Sequence, residues 1–135
     1  MGIPTVYVVS SDTGVGDSVR ELVESAGLEA RILPSLRAFL DEVETEHPAC
    51  LVLDALIDEL QDQDRQARLA AAFAMLPGLL ITDRGDVPMA VHAVQAGALD
   101  VVQKPYGDRS LLSRIKKALA ADAAIPRPAA RTLPR

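Results

Sequence analysis

The sequence predicts an α/β protein, in which a doubly wound parallel sheet carries helices on both faces. Short apolar runs alternate five times with stripes in which apolar residues recur at i, i+3, i+4 and i+7, the spacing of an amphipathic helix. The short runs are nearly continuous in apolar character, which is typical of parallel strands buried on both faces. A chain of 135 residues is long enough to bury a sizeable core in one domain.

Five strands are predicted from the apolar runs. They cover residues 5–9, 29–33, 50–53, 79–81 and 98–102. Because each is followed by a helical stripe, right-handed crossovers should connect them into one parallel sheet.

Capping and breaking residues delimit the five predicted helices. The first covers roughly residues 16–25 and stops at Gly27, and the second follows Ser35, whose hydroxyl is a suitable N-cap. The third, with its stripe over residues 69–76, ends before Pro77. Asp86 is expected to cap the fourth, with Pro88 in its first turn, and the fifth contains the stripe over residues 111–119.

Composition and charge exclude several classes of protein. With 49% hydrophobic and 24% charged residues the chain is expected to be globular, and no apolar run approaches the ~18–20 residues that span a bilayer. The start of the chain has no secretion signal, and the single cysteine, Cys50, excludes an internal disulfide framework. We therefore expect a cytoplasmic protein with no membrane contact.

The basic residues are unevenly distributed. Arg127, Arg131 and Arg135 lie in a proline-containing tail, so the body of the chain is more acidic than the net charge of −5 indicates. An acidic body repels nucleic acid phosphates, and we expect no direct nucleic acid binding. We predict a single domain over residues 1–122 and a flexible tail or linker stub over residues 123–135.

Polar residues end three of the predicted strands. Asp54, Thr82 and Lys104, the last followed by Pro105, stand at the carboxyl ends of strands three, four and five. Open α/β sheets bind ligands at that edge, and an aspartate, a threonine and a lysine there could hold a phosphoryl group. Two simpler interpretations stay open. Asp54 could only pair with Lys104, and Thr82 could cap the next turn.

These motifs resemble the receiver domain of two-component response regulators, closest to the FixJ-like type. Residues 80–91, 96–100 and 104–105 carry the resemblance, which covers about residues 4–121. It implies a flavodoxin-like (βα)5 fold with strand order 2-1-3-4-5. It also implies that Asp54 is the phosphoacceptor for a sensor histidine kinase, that Thr82 and Lys104 bind the phosphoryl group, and that the Lys104-Pro105 peptide is cis. Such a domain is a signalling protein rather than an enzyme.

The chain departs from the family at the acidic pair that holds Mg²⁺. Ser10 and Ser11 stand at these positions, and neutral hydroxyls are poor ligands for this cation. We therefore expect Mg²⁺ binding to be weakened or absent. Asp12 could assist Asp54 as a metal ligand, and Asp83 could either supply a carboxylate or obstruct the pocket.

Two further departures affect signalling. Val101 stands at the switch position where the family often has an aromatic residue, and the acceptor loop, residues 55–64, is acidic and lacks glycine, so we expect it to be helical or remodelled. Two hypotheses stay open, a phosphoacceptor and a phosphorylation-independent pseudo-receiver that acts as a protein–protein interaction module.

The resemblance also indicates a partner surface. Helix four, strand five and helix five would form the face for a homodimer or for another signalling protein. Candidate charge pairs there join Arg109, Arg114, Lys116 and Lys117 to Asp86 and Asp100. FixJ-like regulators normally continue into a helix-turn-helix domain, so this chain is either a stand-alone receiver or one without its output domain.

Overall fold

A computed structural model describes residues 2–43 and 48–126 of the chain. The strands are β1 (Thr5–Val9), β2 (Glu29–Leu33), β3 (Ala49–Asp54), β4 (Gly78–Thr82) and β5 (Asp100–Gln103). The helices are α1 (Thr13–Ser25), α2 (Leu36–Glu42), α3 (Arg65–Met75), α4 (Val87–Gln95) and α5 (Asp108–Ala124), with a 3₁₀ helix at Asp58–Leu60. The predicted alternation of five strands and five helices is confirmed.

The five strands form one parallel sheet in the order β2-β1-β3-β4-β5. This is the predicted flavodoxin-like (βα)5 arrangement. The register aligns the carboxyl ends of the strands, since Asp54 lies beside Ile81 and Thr82 lies beside Gln103. Side chains that end neighbouring strands are therefore brought to one edge of the sheet.

Two hydrophobic cores lie on opposite faces of the sheet. The first packs beneath α2, α3 and α4, and contains an edge-to-face contact between Tyr7 and Phe39 with ring centroids 5.6 Å apart. The second packs beneath α1 and α5. Alternate residues of β3 pack into the two cores, with Leu51 in the first and Val52 in the second. This double burial explains why β3 is apolar throughout, up to Asp54.

Helix α1 begins at Thr13, so the predicted start at residue 16 is wrong. The Asp12 carboxylate caps the helix by accepting the N–H groups of Gly14 and Val15 at 2.8 and 3.4 Å. The apolar stripe starts later than the helix, because the first turn is largely exposed.

Strand β5 begins at Asp100, two residues after the predicted start at Ala98. The N–H of Ala98 donates to the carbonyl oxygen of Ala93 in α4 at 3.0 Å, and Gly97 has a φ of +105°. The chain thus completes the end of α4 before it joins the sheet.

The predicted caps of α2 and α4 are confirmed. Ser35 accepts the N–H of Ala38 at 3.0 Å, and Asp86 accepts the N–H of Met89 at 3.2 Å. Cys50 is buried. Within residues 2–43 and 48–126, none of the helices combines the length and the apolar character of a membrane span. The arginines of the predicted tail lie outside the described residues.

Candidate functional site

Asp54, Thr82 and Lys104 meet at the carboxyl edge of the sheet. Asp54 ends β3 and is 2% exposed, and Thr82 ends β4 and is 1% exposed. Lys104 follows β5, and its Nζ lies 3.8 Å from Asp54 Oδ1. The main-chain N–H of Lys104 donates to the carbonyl oxygen of Thr82 at 2.9 Å, and the Lys104-Pro105 peptide is cis. Strand register and this ion pair therefore bring the three predicted residues to the same edge of the sheet.

Ser10 also contacts the buried carboxylate. Its hydroxyl donates to Asp54 Oδ2 at 2.9 Å, while the N–H of Leu56 donates to Asp54 Oδ1 at 3.1 Å. The sequence identifies Ser10 only as the replacement of a family acid. Its contact with Asp54 could have been expected from the strand order, because Ser10 follows β1 and β1 lies next to β3.

Thr82 Oγ1 is buried and has no hydrogen-bond partner among the described protein atoms. A hydroxyl in that position costs about 1–3 kcal/mol of stability. Since buried polar atoms are almost always paired, an unpaired one at a strand end is suited to a ligand that supplies the partner.

Lys104 is shared between two carboxylates. Its Nζ lies 3.8 Å from both Asp54 Oδ1 and Asp83 Oδ1, and the Asp83 side chain is 57% exposed. Asp83 therefore lies at the rim of the pocket and contacts the lysine from the solvent side. The charge of Lys104 is available both to the buried Asp54 carboxylate and to an anion that enters this edge of the sheet.

The donor set does not fit Mg²⁺. Two neutral hydroxyls stand where acidic ligands would be needed, and an oxygen of Asp12 is engaged in capping α1. Throughout the described ranges, there is no cluster of three or more aspartate, glutamate, histidine or cysteine side chains that could hold a metal. The geometry gives no support to Asp12 and Asp83 as substitute ligands beside Asp54.

Tyr106 lies close to the pocket and was not identified from the sequence. It is half-buried against the core beneath α1 and α5. Burial raises the pKa of Tyr106, and the negative charges of Asp108 and Asp54 raise it further. The predicted switch position, Val101, is half-buried and packs against the core on the opposite face.

The acceptor loop after Asp54 is fixed to a neighbouring helix. It forms the 3₁₀ helix at Asp58–Leu60, which confirms the prediction of a helical or remodelled loop. The carboxylate of Glu59 accepts the N–H groups of Leu36 and Arg37 at 2.6 and 3.1 Å, at the start of α2. This loop therefore connects Asp54 to α2 through a charge-assisted cap.

The face formed by α4, β5 and α5 carries exposed apolar side chains. The most exposed of them are Val87, Val91, Val94 and Leu99. Arg114 pairs with Asp100 at 2.6 Å within the same chain. That pair joins β5 to α5 inside one molecule, whereas the family resemblance predicts these charges for contacts with a partner.

Comparison with known proteins agrees with this geometry. The family model described as the response regulator receiver domain matches residues 6–116. The response regulator protein TmoT of Ectopseudomonas mendocina is 38% identical over 114 residues, which are 84% of this chain and 52% of TmoT. The transcriptional regulatory protein FixJ of Bradyrhizobium diazoefficiens is 33% identical over 114 residues, which are 84% of this chain and 56% of FixJ.

Solved structures show the same fold. The response regulator StyR superposes with a TM-score of 0.76 at 35% identity, over 90% of this chain and 62% of StyR. FixJ-N superposes with a TM-score of 0.77 at 27% identity, over 95% of this chain and all of FixJ-N. The chain spans about half the length of the curated relatives that it matches. This chain belongs to the response regulator receiver domain family of two-component systems.

Proposed function

We propose that this receiver domain accepts a phosphoryl group at Asp54 from the phosphohistidine of a sensor kinase. The observation that carries the proposal is the buried hydroxyl of Thr82, which has no hydrogen-bond partner among the residues that the structure describes and which lies at the same sheet edge as the buried Asp54 carboxylate and Lys104. An entering phosphoryl oxygen would satisfy that hydroxyl, which explains why an otherwise unfavourable group is kept at this strand end.

The chemistry of transfer follows from the three side chains. An Asp54 carboxylate oxygen attacks the phosphorus as the phosphorus–nitrogen bond to the kinase histidine breaks. The leaving nitrogen keeps the electron pair and takes a proton from solvent. The Lys104 ammonium offsets the added negative charge, and the Thr82 hydroxyl donates to a phosphoryl oxygen. The domain is a stoichiometric acceptor in this scheme rather than an enzyme, and it works in the cytoplasm, where the kinase histidine is phosphorylated.

The face of α4, β5 and α5 is the proposed contact surface for a second receiver. Its exposed valines on α4 and the exposed Leu99 would be covered in a homodimer. Sedimentation of the untreated and phosphorylated protein tests this part. A monomer at high concentration in both states contradicts it.

Intact-mass spectrometry after incubation with a small acyl phosphate tests phosphoacceptance. We expect the wild type to gain the mass of one phosphoryl group and Asp54→Asn to gain none. Asp83→Asn is the matched control, because Asp83 is also an aspartate beside Lys104 but lies at the exposed rim. If several donors and a histidine kinase all fail to modify the wild type, the proposal is wrong, and a pseudo-receiver is favoured.

A further inference from the structure

The position of Ser10 is not explained by phosphoacceptance alone. Ser10 stands at the first position of the family's acidic pair, is 5% exposed and directly follows β1. Its Oγ accepts the N–H of Asp12 at 3.0 Å and donates to Asp54 Oδ2 at 2.9 Å. A chain of two hydrogen bonds thus ends on the acceptor carboxylate, and each bond polarises the other.

Protein donors engage both oxygens of that carboxylate. Asp54 Oδ2 accepts a hydrogen bond from the Ser10 hydroxyl, and Asp54 Oδ1 accepts one from the Leu56 N–H. Asp54 Oδ1 also lies 3.8 Å from the Lys104 ammonium. A dication entering here would displace the hydroxyl and would meet the positive charge of the lysine. The site has no acidic pair to compensate for the lost hydrogen bond or for the repulsion from Lys104.

We propose that the Ser10 hydroxyl positions the acceptor carboxylate in place of a divalent cation, so that the pocket does not bind Mg²⁺ and reaction at Asp54 does not depend on it. The part that concerns reaction rests on the proposed function, whereas the part that concerns cation binding does not.

The hydroxyl has a second acceptor within reach. The main-chain oxygen of Asp12 lies 3.2 Å from Ser10 Oγ, compared with 2.9 Å for Asp54 Oδ2. Rotation about the Cβ–Oγ bond therefore moves the hydrogen bond from Asp54 to Asp12 when the carboxylate forms its bond to phosphorus. Ser10 is a positioning residue in this scheme, and it holds the carboxylate without remaining bound to the attacking oxygen.

Titration with Mg²⁺ alone, monitored by the amide NMR signals of residues around 10, 54 and 104, tests whether the site binds the cation. We expect no saturable shift in the wild type. Ser10→Asp combined with Ser11→Asp should gain saturable shifts, because it restores the acidic pair. Saturable shifts in the wild type at millimolar Mg²⁺ that Asp54→Asn removes would overturn the proposal, whatever the double variant does.

The rate of phosphorylation by a small acyl phosphate tests the positioning part. We expect rates in chelator and in Mg²⁺ to agree within about twofold, and Ser10→Ala to lower the maximal rate about tenfold with little change in the half-saturating donor concentration. Ser10→Thr keeps the hydroxyl and should restore the rate, while the exposed Ser11→Ala serves as control. An acceleration of about tenfold or more by Mg²⁺, or equal rates in the two alanine variants, contradicts the proposal.

Failure of the two proposals can be distinguished. If the wild type takes up no phosphoryl group with any donor, phosphoacceptance is wrong, and the positioning role in that reaction is wrong with it. The cation part is then decided by the Mg²⁺ titration alone, which needs no reaction.

Discussion

Replacing Thr82 with valine should stabilise the unphosphorylated domain and weaken its reaction. Valine has nearly the shape of threonine and places a methyl group where the hydroxyl stands. The hydroxyl lies at the end of β4, which is buried along its whole length, and within the described part of the chain it has no hydrogen-bond partner. The substitution therefore removes a desolvation cost without leaving a cavity.

The size of the effect follows from that cost. A buried hydroxyl without a partner costs about 1–3 kcal/mol, so we expect the free energy of unfolding to rise by about 1–2 kcal/mol. For a chain of this length, that corresponds to an increase in Tm of about 3–8 °C. In the opposite direction, a lost hydrogen bond to a charged phosphoryl oxygen is worth about 1.5–3 kcal/mol, which lowers the equilibrium constant for phosphorylation of Asp54 about ten- to hundredfold.

Urea unfolding followed by far-UV circular dichroism measures the first effect, and intact mass after treatment with an acyl phosphate measures the second. Thr5→Val is the matched control, because Thr5 begins β1 half-buried and away from the pocket edge. This control measures the general effect on stability of replacing threonine with valine in a strand. A Thr82→Val variant less stable than the wild type, after correction by that control, would refute the reasoning, since the hydroxyl would then have a partner in the native state.

Two further predictions concern the residues around the acceptor. Glu59→Gln should lower the free energy of unfolding by about 1 kcal/mol, because a neutral amide replaces the carboxylate that caps α2. Urea unfolding checks this, with the exposed Glu21→Gln as control, and an unchanged midpoint contradicts it. Burial raises the pKa of the Cys50 thiol, so Cys50 should resist alkylation in the folded state and react once urea unfolds the chain. Mass spectrometry of the alkylated protein checks this, and rapid modification in native buffer contradicts it.

The raised pKa of Cys50 also gives stability a defined pH dependence. The folded state disfavours the thiolate. The stabilisation of the folded state by the Cys50 thiol is therefore complete below the unfolded pKa of about 8.5 and decreases as the pH rises above it. The free energy of unfolding decreases in this pH range because the unfolded chain forms the thiolate, whereas burial keeps the thiol protonated in the folded chain.

The sequence alone determined the fold class and the main residues of the site. Continuous apolar runs that alternate with helical stripes leave few arrangements besides a parallel sheet covered on both faces. In such a sheet the carboxyl ends of neighbouring strands share an edge, so Asp54 and Thr82 could be placed together, with Lys104 just beyond the next strand. The alternation of strands and helices can be read from the sequence before any contact is known, whereas the strand order 2-1-3-4-5 was implied by the resemblance to receiver domains.

The tertiary structure decided the contacts that chain order leaves open. Ser10 and Asp54 lie 44 residues apart, and only the pairing of β1 with β3 and the side-chain rotamers bring hydroxyl and carboxylate to 2.9 Å. Asp12 is an acid one residue from the family's acidic pair, yet its carboxylate caps α1, because the nearest unpaired donors are the N–H groups of that helix. Glu59 caps α2 across 23 residues for the same reason. Hydrogen bonds depend on distances of a few ångström between atoms remote in sequence, and only the packed chain fixes those distances.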